Sequence, residues 1–160
     1  MQKLPRVIAI ILVVSGVLMI AAGASTYYLV HRELADEKIV VSDDAETLAG
    51  DDVDGPFSAY SEATVIKTHA ADIADGLTYA QLDRDDPRRE TVMTSSFLRA
   101  SLFTSVVAFG VAALVMALGV LFILVGVALM ALAKRDRVVV DEPAPPPEPV
   151  APPPPMAAPA

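Results

Sequence analysis

The sequence predicts an all-α membrane protein in which two transmembrane helices form a hairpin. Two stretches without a charged residue carry this prediction, residues 7–30 and residues 100–133. Hydrophobic residues make up 54% of the 160 residues and charged residues 20%, whereas a soluble globular domain has about 45–50% and about 25%. A membrane-spanning helix needs about 20 apolar residues, so each stretch is long enough to cross a bilayer.

Residues 1–6 form a short basic start, expected in the cytoplasm, and residues 7–30 are predicted to be the first transmembrane helix. Tyr27 and Tyr28 lie near its end, as expected of aromatic residues at the level of the lipid headgroups. The alternative is that residues 1–24 are a cleaved signal peptide, because an Ala-Gly-Ala sequence ends there. The apolar core of a signal peptide usually has about 7–15 residues. The longer stretch found here favours a retained helix.

The segment between the two apolar stretches, residues 31–99, carries 16 acidic and 7 basic residues. Basic residues also flank the apolar stretches on their outer sides; they are Lys3, Arg6, Lys134, Arg135 and Arg137. By the positive-inside rule, both termini are expected in the cytoplasm and the acidic segment outside. The predicted location is therefore the plasma membrane, with two passes.

Most of the acidic segment is predicted to be helical, forming a small extracytoplasmic cap. Residues 38–41 are predicted to form a short strand and residues 42–56 a loop. A helix is predicted over residues 58–75, capped by Ser58 and closed by Gly76. Its apolar face is expected to comprise Tyr60, Ala63, Ile66, Ala70, Ile73 and Ala74. The cap is expected to lean on Phe97, Leu98, Leu102, Phe103 and Val106.

The second apolar stretch belongs to a long helix, predicted to begin after Asp86 and Pro87 and to continue without a break. The 34 uncharged residues 100–133 would span about 51 Å as a helix, against about 30 Å of hydrocarbon. We therefore expect residues 110–132 to be the transmembrane portion. Residues 134–160 are predicted to be a basic stop followed by a disordered tail, since ten of the 13 prolines lie there. The tail is either a ligand for a cytoplasmic partner or a solvated segment without one.

Small residues recur every seven positions in both apolar stretches. The first stripe comprises Ala9, Gly16 and Gly23, and the second comprises Ala112, Gly119, Gly126 and Ala133. A seven-residue repeat keeps one face of a helix toward its neighbour, and small residues let membrane helices approach closely. These stripes are predicted to be helix-packing sites, facing either each other or copies of themselves in a homo-oligomer.

The residues that could carry chemistry are sparse. Neither apolar stretch holds an ionisable residue, although such residues mark most ion paths and proton relays in membranes. No cysteine is present, and His31 and His69 have no recognised metal-ligand spacing. The net charge of −8 opposes a nucleic-acid partner. We predict no catalytic, cofactor-binding or metal-binding residue, and therefore no enzyme; whether the acidic loop binds cations stays open.

Three stretches carry a resemblance to a known family. They are LPRVIAIILVVSGVLMIAAGA, DGPFSAYSEATVIKTHA and TYAQLDRDDPRRETVMTSSFLRASLFTSVVAFGV. The chain resembles an uncharacterised actinobacterial family of small two-span membrane proteins, often labelled aromatic ring-opening dioxygenase of the small-subunit type. That label would imply non-haem iron held by His and carboxylate ligands, and no matching ligand motif exists in this sequence.

The function expected from the sequence is that of a small membrane accessory or scaffold protein. It would act by helix packing and by binding a membrane-protein partner, a second copy or a cytoplasmic partner of the tail. Two alternatives stay open. One is the dioxygenase activity that the family label implies, and the other is a homo-oligomeric channel around a hydrophobic gate.

Overall fold

The computed structural model describes the backbone of residues 3–140 and the side chains of residues 4–134. Three helices form within this range: α1 (Lys3–Asp36), α2 (Pro56–Ile73) and α3 (Arg89–Val140). No strand occurs among the described residues, so this part of the chain is all-helical, as predicted. The proline-rich tail from residue 141 onward lies outside the described residues.

The two long helices α1 and α3 are each long and apolar enough to cross a membrane. Only 17% of the residues in the most apolar part of either helix are buried inside the protein. The core helix of a soluble protein would instead be largely buried. Two candidate membrane-spanning helices therefore present most of their apolar surface outward, as a lipid-facing helix does.

The long helix α3 runs through 52 residues without interruption. Its start is fixed by Asp86, whose carboxylate Oδ1 accepts a hydrogen bond from the backbone N–H of Arg88 at 2.9 Å. Helical backbone then continues past residue 133 to Val140. α1 likewise extends beyond the uncharged stretch, ending at Asp36.

The strand predicted over residues 38–41 is wrong. Among the described residues the only pairing there is a single antiparallel bridge between Val40 and Asp52. Lys38 takes a positive φ of 51° and Gly50 one of 79°, so the backbone turns sharply on both sides of the pairing. The pairing is therefore too short to form a strand.

The segments between the helices, residues 37–88, fold with α2 into what we call the cap. Its main apolar cluster buries Val41, Val53, Ala59, Ala63 and Leu102. Leu102 belongs to α3, so this cluster joins the cap to the long helix. Phe103 and Val106 pack against its edge, as expected from the sequence.

The prediction that Phe97 and Leu98 also support the cap is wrong. Phe97 is 77% exposed and Leu98 is 50% exposed. α2 contacts α3 through the side that bears Leu102. Phe97 precedes Leu102 by five positions, so the helical turn directs it well away from that side. Leu98 precedes it by four positions and lies on nearly the same side, but it is not part of the cluster.

The predicted apolar face of α2 is confirmed in part. Ala63 and Ala74 are buried and Ile66 packs against the cluster, whereas Tyr60 is 54% exposed and Ile73 is 46% exposed.

The ends of α2 are fixed by local hydrogen bonds. Gly55 rather than Ser58 is the N-cap, and Pro56 follows at the first helical position, where a missing N–H costs nothing. The Ser58 hydroxyl instead accepts from the N–H of Gly55 at 3.2 Å. At the C-terminus, the N–H of Gly76 donates to the carbonyl of Ala71 at 2.7 Å, the six-to-one bond of a Schellman motif.

Candidate functional site: a small-residue seam below a helical cap

The small-residue stripes of α1 and α3 meet within one chain. We call the six residues concerned the seam: Ala9, Gly16, Gly23, Ala112, Gly119 and Gly126. A Cβ atom built on each glycine would approach the backbone carbonyl of its counterpart on the other helix. The pairs are Ala9 with Gly126, Gly16 with Gly119, and Gly23 with Ala112. The two helices are therefore antiparallel, and the two stripes face each other.

Space in the seam is too small for any larger side chain. A Cβ at Gly16 would lie 2.5 Å from the carbonyl oxygen of Gly119, and a Cβ at Gly119 would lie 2.7 Å from that of Gly16. A Cβ at Gly126 would lie 2.8 Å from the carbonyl oxygen of Ala9. These neighbours are backbone atoms, which cannot rotate aside. Gly110 of α3 has no atom within 4 Å of such a Cβ, so the restriction is specific to the seam.

The three alanines at the ends of the stripes are not equally buried. Ala9 is 0% exposed and Ala112 is 2% exposed, whereas Ala133 is only partly buried. Continuing the antiparallel pairing would set Ala133 beside residue 2, which lies outside the described residues. The seam that the structure describes therefore extends from Ala9 to Gly23 on α1.

Where the seam meets the cap, an aromatic pair and a histidine join the three helices. Phe109 is 1% exposed and packs edge-on against Tyr27, with ring centroids 4.7 Å apart. One turn above, His31 Nδ1 lies 2.7 Å from the carbonyl oxygen of Asp54. An open cavity of about 550 Å³ borders Tyr27, His31 and Asp54 and reaches Met116. The contact of His31 with Asp54 therefore links the C-terminal part of α1 to the residue before the N-cap of α2.

Hydrogen bonds from α2 hold the long loop that precedes it. Glu62 is 8% exposed, and its carboxylate accepts from the N–H of Ser42 at 2.8 Å and from the Ser42 hydroxyl at 3.1 Å. The hydroxyl of Ser61 donates to the carbonyl of Thr47 at 2.6 Å. A buried acidic side chain is thus matched to donors of the loop, as burial of a charge requires.

An exposed ion pair lies at the far side of the same loop. His69 Nε2 and Asp44 Oδ2 are 2.6 Å apart. This hydrogen bond raises the pKa of His69 above its usual 6.5 and lowers the pKa of Asp44 below 3.8. Both side chains are about half exposed, so the pair tethers the loop weakly.

A second polar cluster precedes α3. Arg88 donates to Asp86 and, from Nη1, to Asp75 at 2.8 Å. The hydrogen bonds from Arg88 lower the pKa of Asp86 from 3.8 to about 2. Arg89 bonds the carbonyl oxygens of Tyr79 and Leu82. These arginines close the loop between α2 and α3.

A third arginine, Arg99, has different surroundings. It lines a cleft of about 460 Å³ between α2 and α3. Its Nε is buried and has no hydrogen-bond partner among the described residues. The guanidinium lies over the ring of Phe103, 5.6 Å from the centroid. The cleft is otherwise lined mainly by apolar residues and hydroxyl-bearing residues.

Metal ligands do not gather within the part of the chain that the structure describes. No group of three or more His, Asp and Glu side chains there could hold an ion. His31 and His69, which the sequence singled out, lie in separate contacts with Asp54 and Asp44. The paired carboxylates of residues 31–99 contact separate partners: Asp44 contacts His69, Glu62 contacts Ser42, and Asp75 and Asp86 contact Arg88.

Several of these residues were not predicted from the sequence. Glu62 joins a loop residue 20 positions away, and no local pattern specifies such a pair. One feature was visible, since Glu62 lies between Ala59 and Ala63 on the buried face of α2. An acidic residue on an apolar helical face indicates a buried partner. Arg99, more than three turns before the first α3 residue of the seam, carried no comparable pattern.

Comparison of the chain with protein-family models, with curated proteins and with solved structures finds no match. The resemblance to the actinobacterial two-span family therefore stays a prediction, as do the dioxygenase and channel alternatives.

Proposed function

We propose that this protein is a small integral membrane protein of the plasma membrane that acts as an accessory or scaffold subunit. The hairpin of α1 and α3 would cross the bilayer with both termini in the cytoplasm and the cap outside. The cap would bind a membrane-protein partner, and the proline-rich tail would offer a second site in the cytoplasm. The observation that supports the proposal most directly is the exposure of Phe97 and Leu98, which lie on the part of α3 at the level of the cap.

The membrane register follows from the seam. Its pairs set Val30 of α1 beside residue 105 of α3, and Val7 beside residue 128. The 24 uncharged residues 7–30 would then span about 36 Å as a helix, slightly more than the hydrocarbon core of about 30 Å. Moderate tilt accommodates that difference. This register sets residues 105–128 of α3 in the membrane, whereas residues 110–132 were expected from α3 alone.

Charge at the two ends of the helix pair supports the orientation. Antiparallel packing brings Arg6 and Lys134 to the same end, with the other basic residues of the termini adjacent in sequence. The opposite end continues into the acidic segment. Basic residues close to the ends of membrane helices favour the cytoplasmic side.

Partner binding is supported by apolar surface outside this register. Phe97 and Leu98 would stand eight and seven residues above residue 105, about 11–12 Å along the helix and outside the hydrocarbon core. They are 77% and 50% exposed, and the cap leaves them uncovered. Adjacent large apolar side chains exposed to water favour an interaction surface. Because the seam is used within the chain, this surface is the better candidate for a contact with another protein.

The test is native extraction of the full chain, tagged after Ala160, followed by mass spectrometry of the intact assembly. We expect a stoichiometric second protein with the wild-type chain. Changing Phe97 and Leu98 together to serine should remove that protein. The control is Val40→Ser, because Val40 is 50% exposed elsewhere on the cap. Equal recovery of the partner with both variants would contradict this assignment of the surface.

A further inference from the structure

The cleft between α2 and α3 is lined by Arg99, whose Nε has no hydrogen-bond partner among the described residues. We infer that this cleft binds the phosphate headgroup of an anionic membrane lipid through Arg99 and Lys67. The inference rests on the membrane placement proposed above, but it does not depend on the proposed protein partner.

Charge in the cleft is opposite to that of its surroundings. The segment 31–99 has 16 acidic and 7 basic residues, yet no carboxylate lines this cleft, and its charged lining residues are Lys67 and Arg99. The remaining polar lining includes the hydroxyl-bearing residues Thr78, Ser95 and Ser96. An electropositive cleft in an acidic cap favours an anionic ligand.

The state of Arg99 indicates how such a ligand would be held. Arg88 is occupied by Asp75 and Asp86, and Arg89 is occupied by backbone carbonyls. Arg99 has a buried Nε without a partner among the described residues. A guanidinium group presents a planar fork of donors that matches phosphate oxygens in a bidentate manner. Nε is shielded from the cleft, whereas the Nη groups are not among the buried atoms, so a phosphate in the cleft would accept hydrogen bonds from the Nη groups.

The height of Arg99 favours a lipid over a soluble anion. In the register that the seam supports, Arg99 stands six residues above residue 105, which is about 9 Å along the helix. The headgroup layer extends about 5–8 Å beyond the hydrocarbon on each side. Arg99 is the α3 lining residue nearest to the bilayer, and its backbone lies within about one helical turn of the outer edge of that layer.

An apolar path connects the cleft to the bilayer. A smaller recess of about 220 Å³ shares Tyr79 and Ser96 with the cleft and extends past Met93 and Phe97 to Ala100. Below Ala100, the exposed residues Val107 and Val111 continue down α3. They lie at helical spacing on one face of α3. An acyl chain lying along this face would leave its headgroup beside Arg99.

The experiment uses the full chain in detergent and native mass spectrometry to count bound lipid while phosphatidylglycerol is added. We expect one tightly bound lipid on the wild-type chain. Arg99→Gln should weaken that binding by about tenfold or more, since hydrogen bonds to charged groups are stronger than neutral ones. The matched control is Arg84→Gln, because Arg84 is an exposed arginine of the same segment outside the cleft. It should bind lipid as the wild-type chain does.

Two further variants and a competition with inorganic phosphate complete the experiment. Lys67→Gln changes an exposed residue of α2, cannot disturb the core, and should weaken lipid binding to a lesser extent. Arg99→Lys retains the charge but loses the fork, so its affinity should fall between those of wild type and Arg99→Gln. Equal lipid binding by the wild-type chain, Arg99→Gln and Lys67→Gln would overturn the inference. Displacement of the lipid by millimolar inorganic phosphate would overturn the assignment to a lipid. Recovery of the chain in the membrane fraction tests the membrane placement separately.

Discussion

The helix pair and the cap are held together by different kinds of contact. In the seam, the absence of side chains lets two backbones touch, and Gly16 and Gly119 exclude even a Cβ atom. In the cap, a short apolar cluster is supplemented by hydrogen bonds such as that between Glu62 and Ser42. Residue size therefore specifies the contact between the two long helices, and matching of individual polar groups specifies the contacts of the cap.

The largest effect is expected from filling the seam. Gly119→Leu would force a side chain against the backbone of Gly16 and should destabilise the helix pair by about 3 kcal/mol, the upper range for overpacking. Unfolding of the detergent-solubilised chain by a titrated denaturing detergent, followed by circular dichroism, measures this change.

Gly110→Leu is the matched control for that prediction. Gly110 lies on the same helix with nothing within 4 Å of an added Cβ. Leucine also favours a helix over glycine by about 1 kcal/mol, so this variant should be as stable as the wild-type chain or slightly more stable. Equal destabilisation by both leucines would show that the seam has no special role.

A medium effect, confined to the cap, is expected from Glu62→Ala. The change leaves two donors of Ser42 without their buried acceptor, at a cost of about 1–3 kcal/mol. Amide hydrogen exchange should accelerate in residues 41–53, where the backbone bonds of the bridge lie. Exchange in the seam should stay unchanged. Glu46→Ala, at an exposed position of the same loop, should leave exchange as it is in the wild-type chain.

The smallest effect is expected from the exposed pair of Asp44 and His69. The raised pKa of His69 stabilises the fold fully below pH 6.5, and this stabilisation is lost as the pH rises through the raised pKa. The lowered pKa of Asp44 stabilises the fold above pH 3.8, and this stabilisation is lost as the pH falls through the lowered pKa. The tether should therefore be strongest between those two values. An NMR titration should give a higher pKa for His69 in the wild-type chain than in Asp44→Asn. Identical titrations would mean that the two side chains do not meet in solution.

The two regions also differ in how far the sequence predicts them. The seven-residue repeat in Gly16, Gly119 and their neighbours specified which residues would pack, because size and period are local properties of a helix. It left open whether the stripes meet each other or copies of themselves, since both arrangements use the same small residues. Within one chain, the structure brings them together.

The cap was predicted less well, for a physical reason. The helix α2 follows from local patterns, but its buried face depends on what lies beside it. The exposure of Phe97 and Tyr60 is set by the side from which α2 approaches α3, which no local pattern specifies. The contact between Glu62 and Ser42 spans 20 positions and requires the loop to be folded first.

The most direct test of the account is the side of the membrane on which each region lies. The chain has no cysteine, so single cysteines can be introduced at Asp85 in the cap and at Ala160 in the tail. A membrane-impermeant maleimide should label Asp85→Cys in intact cells, and label Ala160→Cys only after lysis. Labelling of Ala160→Cys in intact cells, with Asp85→Cys protected until lysis, would contradict the proposed hairpin orientation. Labelling of both in intact cells would contradict a hairpin with both termini inside.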